Sequence, residues 1–261
     1  MKVLDFTDPI IWVFLPTGIS LDIINSLNKK LIIYYCIDSF YLSSASAKKV
    51  IVTEKRLLKK SDLVFVTSQS LYDHCVKYNS NVTIFPFGVN LGEFEKTRLL
   101  KTKIPDELQN LPKPIVGYVG GIHKWIDLKL VKDIALNCPD FSFVFVGPLQ
   151  TDISSLSAIK NIYFLGNKEH EELPYLIKWF SVTIIPYLIN DYTKNVYPTK
   201  LNEYLSMGKP VISTDLPEIK AFNSRYTDLV YVAHAASEFA ELIENAISED
   251  NERLKQRRIE V

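Results

Sequence analysis

Lys200 and Glu203 stand three residues apart in "NVYPTKLNEYLSMGKPVISTDLPE" (195–218). Pro198 suits the first turn of a helix, where its fixed φ helps and its missing N–H costs nothing. A helix opening on "PTKLNEYL" presents free amides and the positive end of its dipole there. Lys200 in that turn is electrostatically misplaced unless an anion offsets it. A diphosphate docked on the helix end is such an anion. Glu203 shares the face and can accept two hydrogen bonds from the cis hydroxyls of a ribose. The same spacing also fits an ordinary surface Lys–Glu pair.

The second candidate is the loop "GYVGGIHKWID" (117–127). Gly120 and Gly121 let the backbone turn tightly and approach a ligand. The next helix begins near Asp127, where its amides face an anion, and Lys124 adds a point charge. A plain strand-to-helix turn accounts for the glycines equally well. There is no G-x-G-x-x-G and no G-K-[ST], so dinucleotide and P-loop sites are disfavoured. For proton transfer the candidates are Asp38, ending "LIIYYCID", and His123 in the glycine loop. The alternatives are a cap or turn role for Asp38 and a structural role for His123. His74 is a further alternative, and His170 reads as a solvated helix-start residue. No D-x-D stands in a suitable loop and "DFTD" (5–8) is not a metal-ligand set, so neither metal nor cofactor is expected.

Composition narrows the class. The 261 residues are 47% hydrophobic and 23% charged, with thirty Lys and Arg against thirty Asp and Glu. That balance is ordinary for a globular chain and gives no support to a nucleic-acid partner. Cys36, Cys75 and Cys138 are widely spaced and odd in number, against a zinc site or a disulfide framework. A reducing, cytoplasmic location fits them. No apolar run reaches the roughly 18 residues of a membrane span. "PIIWVFLP" (9–16) follows Asp5 and Asp8 rather than positive charge and reads as a buried strand, not a signal peptide.

Apolar runs at 10–15, 31–37, 62–68, 82–87, 114–120, 141–147, 162–166, 182–187, 210–214 and 229–233 predict ten strands. They are continuous rather than alternating, so both sheet faces should be covered. Helical patterns lie at 47–60, 68–77, 127–137, 170–180, 198–207 and 236–247. Alternation of the two types predicts parallel sheets with right-handed crossovers. The fold class is α/β, with two doubly wound Rossmann-like domains: residues 1–96, a polar linker 97–112, and 113–261. Ligands in such sheets lie beyond the carboxyl ends of the strands. That points to the loops at 120–126, 147–152, 166–170 and 187–199. "SAKKVIVTEKRLLKK" (46–60) holds six cations and one Glu, with Val50, Ile51, Leu57 and Leu58 sharing a face. Such a helix either rests on anionic lipid or is simply solvated.

"YPTKLNEYLSMGKPVISTDLPE" (197–218) resembles the donor-binding segment of GT-B glycosyltransferases, those grouped with the retaining bacterial polysaccharide enzymes. It is most similar to the subset with a P-x-K-x-x-E-Y-L-x-x-G-K-P-V pattern, which includes teichuronic-acid-type transferases. "IVGYVGGIHKWIDLKLV", "FVFVGP" and "IYFLGNKEHEELPYLIKWFSVTIIPY" resemble the family's donor domain in order. "YYCIDSF", "KKSDLVFVTSQSL" and "FPFGVNLGEF" resemble the end of its acceptor domain. The resemblance implies sugar transfer from a nucleoside diphosphate sugar, most often a UDP-sugar, to a hydroxyl of a glycan or lipid-linked acceptor in cell-surface polysaccharide synthesis. It implies that Lys200 binds the diphosphate, Glu203 the ribose, and the Thr199 backbone the phosphates. Tyr197 belongs to the same motif, Gly166, Asn167 and Lys168 would flank the nucleobase, and Gly120 and Gly121 would admit the donor phosphate or the acceptor. Three departures stand out. Asn195 replaces a second glutamate eight residues before Glu203. Gly121 replaces a common arginine, which Lys124 could replace in function. The acceptor-side domain reads as incomplete at its front. The alternatives are a non-catalytic donor-binding subunit or inactive fragment, completed by a partner polypeptide, and, less favoured, a sugar-nucleotide epimerase of the same fold.

Overall fold

The computed structural model describes residues 7–44 and 46–261, so Asp5 of "DFTD" lies outside the described residues. Contacts divide the chain into two units. The first runs to Phe87 and takes in Asn190–Tyr197, and the second comprises Gly88–Ile189 and Pro198–Val261.

The first unit carries β1 (Ile10–Val13), α1 (Gly18–Ser26), β2 (Leu31–Cys36), α2 (Phe40–Ser43), α3 (Ala47–Lys60), β3 (Leu63–Val66), α4 (Gln69–Cys75) and β4 (Val82–Ile84). Its four parallel strands lie in chain order, β1-β2-β3-β4. One face holds the core, in which Val13, Ile32, Tyr34, Cys36, Val64 and Val66 pack on Leu21, Ile24, Leu57, Leu58, Leu71 and Cys75. Thr17 and Ser68 accept hydrogen bonds from the Ser20 and Leu71 amides, which fixes where α1 and α4 begin.

The other face corrects the expectation of two covered faces and of a buried first strand. Trp12, Tyr35, Phe65 and Phe85 touch ring to ring, with Trp12–Phe65 and Phe65–Phe85 centroids 5.8 and 5.6 Å apart. Yet Trp12 is 47% and Phe85 57% exposed. A continuous apolar run shows that both faces are apolar, not that the described residues cover each. In α3 the buried face is Thr53, Glu54, Leu57 and Leu58, while Ile51 and Val52 lie exposed among the cations. Glu54 accepts from Tyr34 Oη at 2.8 Å and pairs with His74 Nε2 at 3.2 Å, so His74 has a structural partner.

The second unit carries α5 (Leu91–Leu99), α6 (Asp106–Gln109), β5 (Ile115–Val119), α7 (Leu128–Asn137), β6 (Ser142–Val146), β7 (Ile162–Gly166), α8 (Leu173–Ile177), β8 (Val182–Ile185), α9 (Lys200–Ser206), β9 (Val211–Thr214), α10 (Pro217–Tyr226), β10 (Tyr231–Ala233), α11 (Ala236–Glu249) and α12 (Glu252–Ile259). Its six parallel strands run β10-β9-β8-β5-β6-β7, a doubly wound order that reverses between β5 and β8. Every residue of β5, β6, β8 and β9 is buried, as a sheet covered on both faces requires. The stretch 97–112, expected as a linker, holds the end of α5 and all of α6. Leu108 is buried, and Lys178 Nζ donates to the carbonyls of Thr97 and Arg98 at 2.9 and 3.2 Å.

Candidate functional site

The carboxyl ends of β5, β6 and β8 are laced together. Gly120 N donates to Val146 O at 2.8 Å, Ile122 N to Pro148 O at 2.9 Å, and Gln150 N to Ile122 O at 2.8 Å. Leu188 N donates to Trp125 O and Asp127 N to Pro186 O, both at 2.8 Å. Gly147 has φ +146°, and a Cβ there would sit 2.1 Å from Gly120 O. Only glycine permits this crossing of two loops. Gly120, at φ +131°, faces Lys200: its missing Cβ would stand 3.2 Å from Lys200 Cε. Gly121 faces Gln150 in the same way.

Helix α9 is anchored through Tyr204, wholly buried, whose phenol oxygen accepts from Val119 N at 2.7 Å. Four residues earlier on the same face, Lys200 is carried to the end of β5. Lys200 is 7% exposed and makes no ion pair among the described residues. Its ammonium donates to Tyr187 Oη and lies 4.8 Å from the Tyr187 ring centroid and 5.1 Å from that of Tyr118. Two π faces and one phenol offset part of the desolvation of a buried cation. Tyr118 is itself held by donating to Gly121 O at 3.1 Å, and burial pushes its phenol well above the usual range.

Glu203 does not pair with Lys200. Its Oε1 lies 3.7 Å from His170 Nε2. Burial raises the Glu203 carboxyl, with Lys200 and His170 opposing that shift. His123 Nδ1 accepts from Trp125 N at 3.2 Å, which assigns the neutral ring's proton to Nε2. Burial first and the Lys200 charge second push His123 down, so the ring is neutral near pH 7 and offers a donor.

The other candidates are placed differently. Lys124 is exposed, its ammonium 4.5 Å from the Trp125 ring centroid. Asn167 and Thr199 are exposed, and Gly166, at φ +71°, opens onto free space. Lys168 is paired with Glu107 at 2.5 Å. Asp38, Asn195 and Tyr197 fall in the first unit. Asp38 accepts from Tyr192 Oη at 2.6 Å and Ser39 N at 2.7 Å, and burial holds its carboxyl above the usual range. Asn195 has both ends of its amide engaged, with Ser70 Oγ and Asp191 O.

Sequence reasoning missed Tyr118, Tyr187, Tyr204, Gly147 and His170. The available signal was a tyrosine at a strand's carboxyl end, in "GYVGG" and "IIPY", which reads equally well as core. No group of three or more His, Cys, Asp or Glu able to hold a metal occurs among the described residues. None of the described helices is long and apolar enough to cross a membrane.

Comparison with known proteins bears on the family and the fold. A Bacillus subtilis (strain 168) protein, TuaH, named as a teichuronic acid biosynthesis glycosyltransferase, is 28% identical over 214 residues, 75% of this chain and 53% of that protein. The matched region thus spans about half the length of that relative. Among solved structures, sucrose-phosphate synthase from Thermosynechococcus elongatus superposes with a TM-score of 0.75 at 17% identity, covering 99% of this chain and 70% of that one. HepE of Anabaena, in complex with UDP-glucose, gives 0.68 at 15% identity, with 95% and 71% covered. At such identities the likeness is one of fold, the GT-B arrangement of parallel α/β sheets. Residues 113–249 match the family described as Glycosyl transferases group 1. The chain belongs to that family.

Proposed function

We propose that the chain takes part in glycosyl transfer from a nucleoside diphosphate sugar, with a UDP-sugar as donor. The observation that carries this reading is Lys200: a buried lysine without a carboxylate partner among the described residues, beside a glycine loop at the switch point of a doubly wound sheet. A diphosphate supplies the missing anion. Lys200 and nearby backbone amides at Thr199 and Gly121 would then stabilise charge on the departing nucleoside diphosphate, an electrostatic role. His123, neutral and presenting Nε2–H, serves as a hydrogen-bond donor to the phosphate or the sugar, not as a base. Glu203 accepts from the ribose hydroxyls, and Asn167 with the backbone at Lys168 borders the nucleobase. Asp38 is the proposed proton acceptor for the attacking hydroxyl. Its raised carboxyl titrates closer to neutrality than a solvated aspartate. The reading is completed by a glycan or lipid-linked acceptor in cell-surface polysaccharide synthesis, supported by the teichuronic acid relative, and by peripheral contact of α3 with anionic lipid.

The bare aromatic face of the first sheet favours a second reading, in which the chain binds the donor and a partner polypeptide completes the acceptor side. Calorimetric titration with UDP, GDP and their sugars, followed by a transfer and hydrolysis assay, separates the two. Binding with turnover supports the first reading. Binding with only slow sugar release supports the second, and no nucleotide binding overturns both. Lys200→Ala should weaken UDP about 10- to 100-fold, as expected for a lost charge-assisted hydrogen bond, and leave uridine little changed. Equal loss for both ligands refutes the phosphate role.

A further inference from the structure

His170 opens a short 3-10 turn (His170–Glu172) just before α8, in the loop that follows β7. Sequence alone marked it as solvated, and it is half exposed. Its two ring nitrogens nevertheless face two carboxylates from two different helices. Nδ1 lies 3.7 Å from Glu93 Oε2 on α5, and Nε2 lies 3.7 Å from Glu203 Oε1 on α9. The ring also stands edge-on to Phe94, centroids 6.1 Å apart and planes at 67°, and Phe94 is fully buried. The imidazole therefore has an aromatic seat beneath it and an acceptor at each nitrogen. Glu169 and Glu172 close a reciprocal capping box that fixes the turn carrying it.

A neutral imidazole has one N–H and can serve only one of these carboxylates, while an imidazolium serves both. The charged groups around the ring are Glu93 and Glu203 on the facing helices, Lys200 one turn from Glu203, and Glu171, Glu172 and Lys168 on its own segment. The two nearest are the acidic pair, one at each ring nitrogen.

We propose that His170 is a positioning residue for the nucleotide site: bridging Glu93 and Glu203, it orients the Glu203 carboxylate and makes recognition of the ribose hydroxyls depend on pH. This rests on the reading that Glu203 faces the ribose. Protonation of His170 fixes one Glu203 oxygen and leaves the other to accept from the ribose. Loss of the proton lets Glu203 swing, so discrimination between ribose and deoxyribose falls as pH rises.

The test measures Kd for UDP and for 2′-deoxy-UDP by calorimetry at pH 6 and pH 8, on the full chain and on His170→Ala, His170→Gln, Glu93→Gln and Glu203→Ala. The ratio of the two Kd values cancels ionisation of the phosphates, which the two ligands share. The unaltered chain should discriminate several-fold better at pH 6 than at pH 8. His170→Ala should lose that pH response and most of the discrimination. His170→Gln should keep part of the discrimination without the pH response, and Glu93→Gln, which removes one charged end of the bridge, should lose part of the discrimination at pH 6. A His170→Ala chain that discriminates like the unaltered one at both pH values, while Glu203→Ala does not, overturns the role of His170 and leaves the ribose reading standing. Unaltered discrimination in Glu203→Ala, or no UDP binding by the unaltered chain, overturns the ribose reading and this inference with it. Equal melting temperatures for the variants confirm that each comparison is between folded proteins.

Discussion

The two sheets are built from the same kind of strand and finish differently. In the second, strand order reverses between β5 and β8, helices cover both faces, and the reversal leaves three loops converging at the carboxyl ends. In the first, four strands run in one direction and helices pack on one face, leaving an aromatic surface on the other. Apolar strands alone thus do not make a site. The candidate site lies where a two-sided sheet has its topological break, and the break brings Gly120, Tyr187 and Lys200 together.

Paired truncations put the largest strain on this comparison. Phe143 on β6 is fully buried, whereas Phe85, just after β4, is 57% exposed. Phe143→Ala should cost about 3–5 kcal/mol in urea unfolding, and Phe85→Ala less than about 1 kcal/mol. A comparable loss for Phe85→Ala would show that the aromatic face is covered in solution, and the contrast between the sheets would fall. Gly147→Ala comes next. A Cβ 2.1 Å from Gly120 O on a backbone at φ +146° combines overpacking with strain, about 3 kcal/mol in all. The same experiment should show nucleotide binding lost, because the Gly120 loop must move to make room. Retention of both stability and binding would mean that the loop crossing is not what shapes the site.

The sequence made some of this legible and hid the rest for identifiable reasons. All ten strands fall within the apolar runs, and α3, α7 and α11 sit where periodicity put them, because long amphipathic patterns and continuous Val/Ile/Leu/Phe runs are strong signals. Helices α1 and α10 were missed. α1 begins on Gly18 and mixes exposed Ile19 and Ile23 with exposed Asp22, Asn25 and Ser26, so its apolar residues do not fall on one face. α10 is short on apolar residues and rests on Pro217 at its start. Lys200 and Glu203 were singled out from charge placed at a helix start. Their lack of a mutual ion pair was invisible, since i,i+3 spacing brings side chains near without stating what else competes for them. Tyr187 supplies that competitor, and nothing marks a tyrosine in an apolar strand as a lysine's partner.

Tyr187→Phe sharpens the point at smaller scale. Removing the phenol oxygen leaves the Lys200 ammonium buried with one acceptor fewer, a cost of about 1–2 kcal/mol without ligand. A bound diphosphate would restore the lost acceptor. The melting temperature of Tyr187→Phe should therefore fall without ligand and rise more on adding UDP than that of the unaltered chain. An equal UDP-induced rise in both proteins would mean that the diphosphate does not replace Tyr187 at Lys200.

The smallest effect contrasts two lysines nine residues apart in sequence, Lys200 buried and Lys209 half-buried. Lys209, after α9, donates to the carbonyls of Lys178 and Phe180 at 2.6 and 2.7 Å, so protein acceptors occupy its ammonium. Lys200 has a phenol and two ring faces instead. Burial lowers Lys209 to about 8, with Asp250 opposing the shift. A solvated lysine in the unfolded chain titrates near about 10.4, so between those values the unfolded state binds more protons and stability rises with pH. From pH 7 to pH 9 the gain is about 1 kcal/mol. Lys209→Met should remove that increment when urea unfolding is compared at the two pH values, and its nucleotide affinity should stay close to that of the unaltered chain. Lys200→Met should do the reverse, leaving the pH increment in place and weakening UDP. If both variants behave alike, the distinction between a lysine satisfied by its own fold and one left for a ligand is lost.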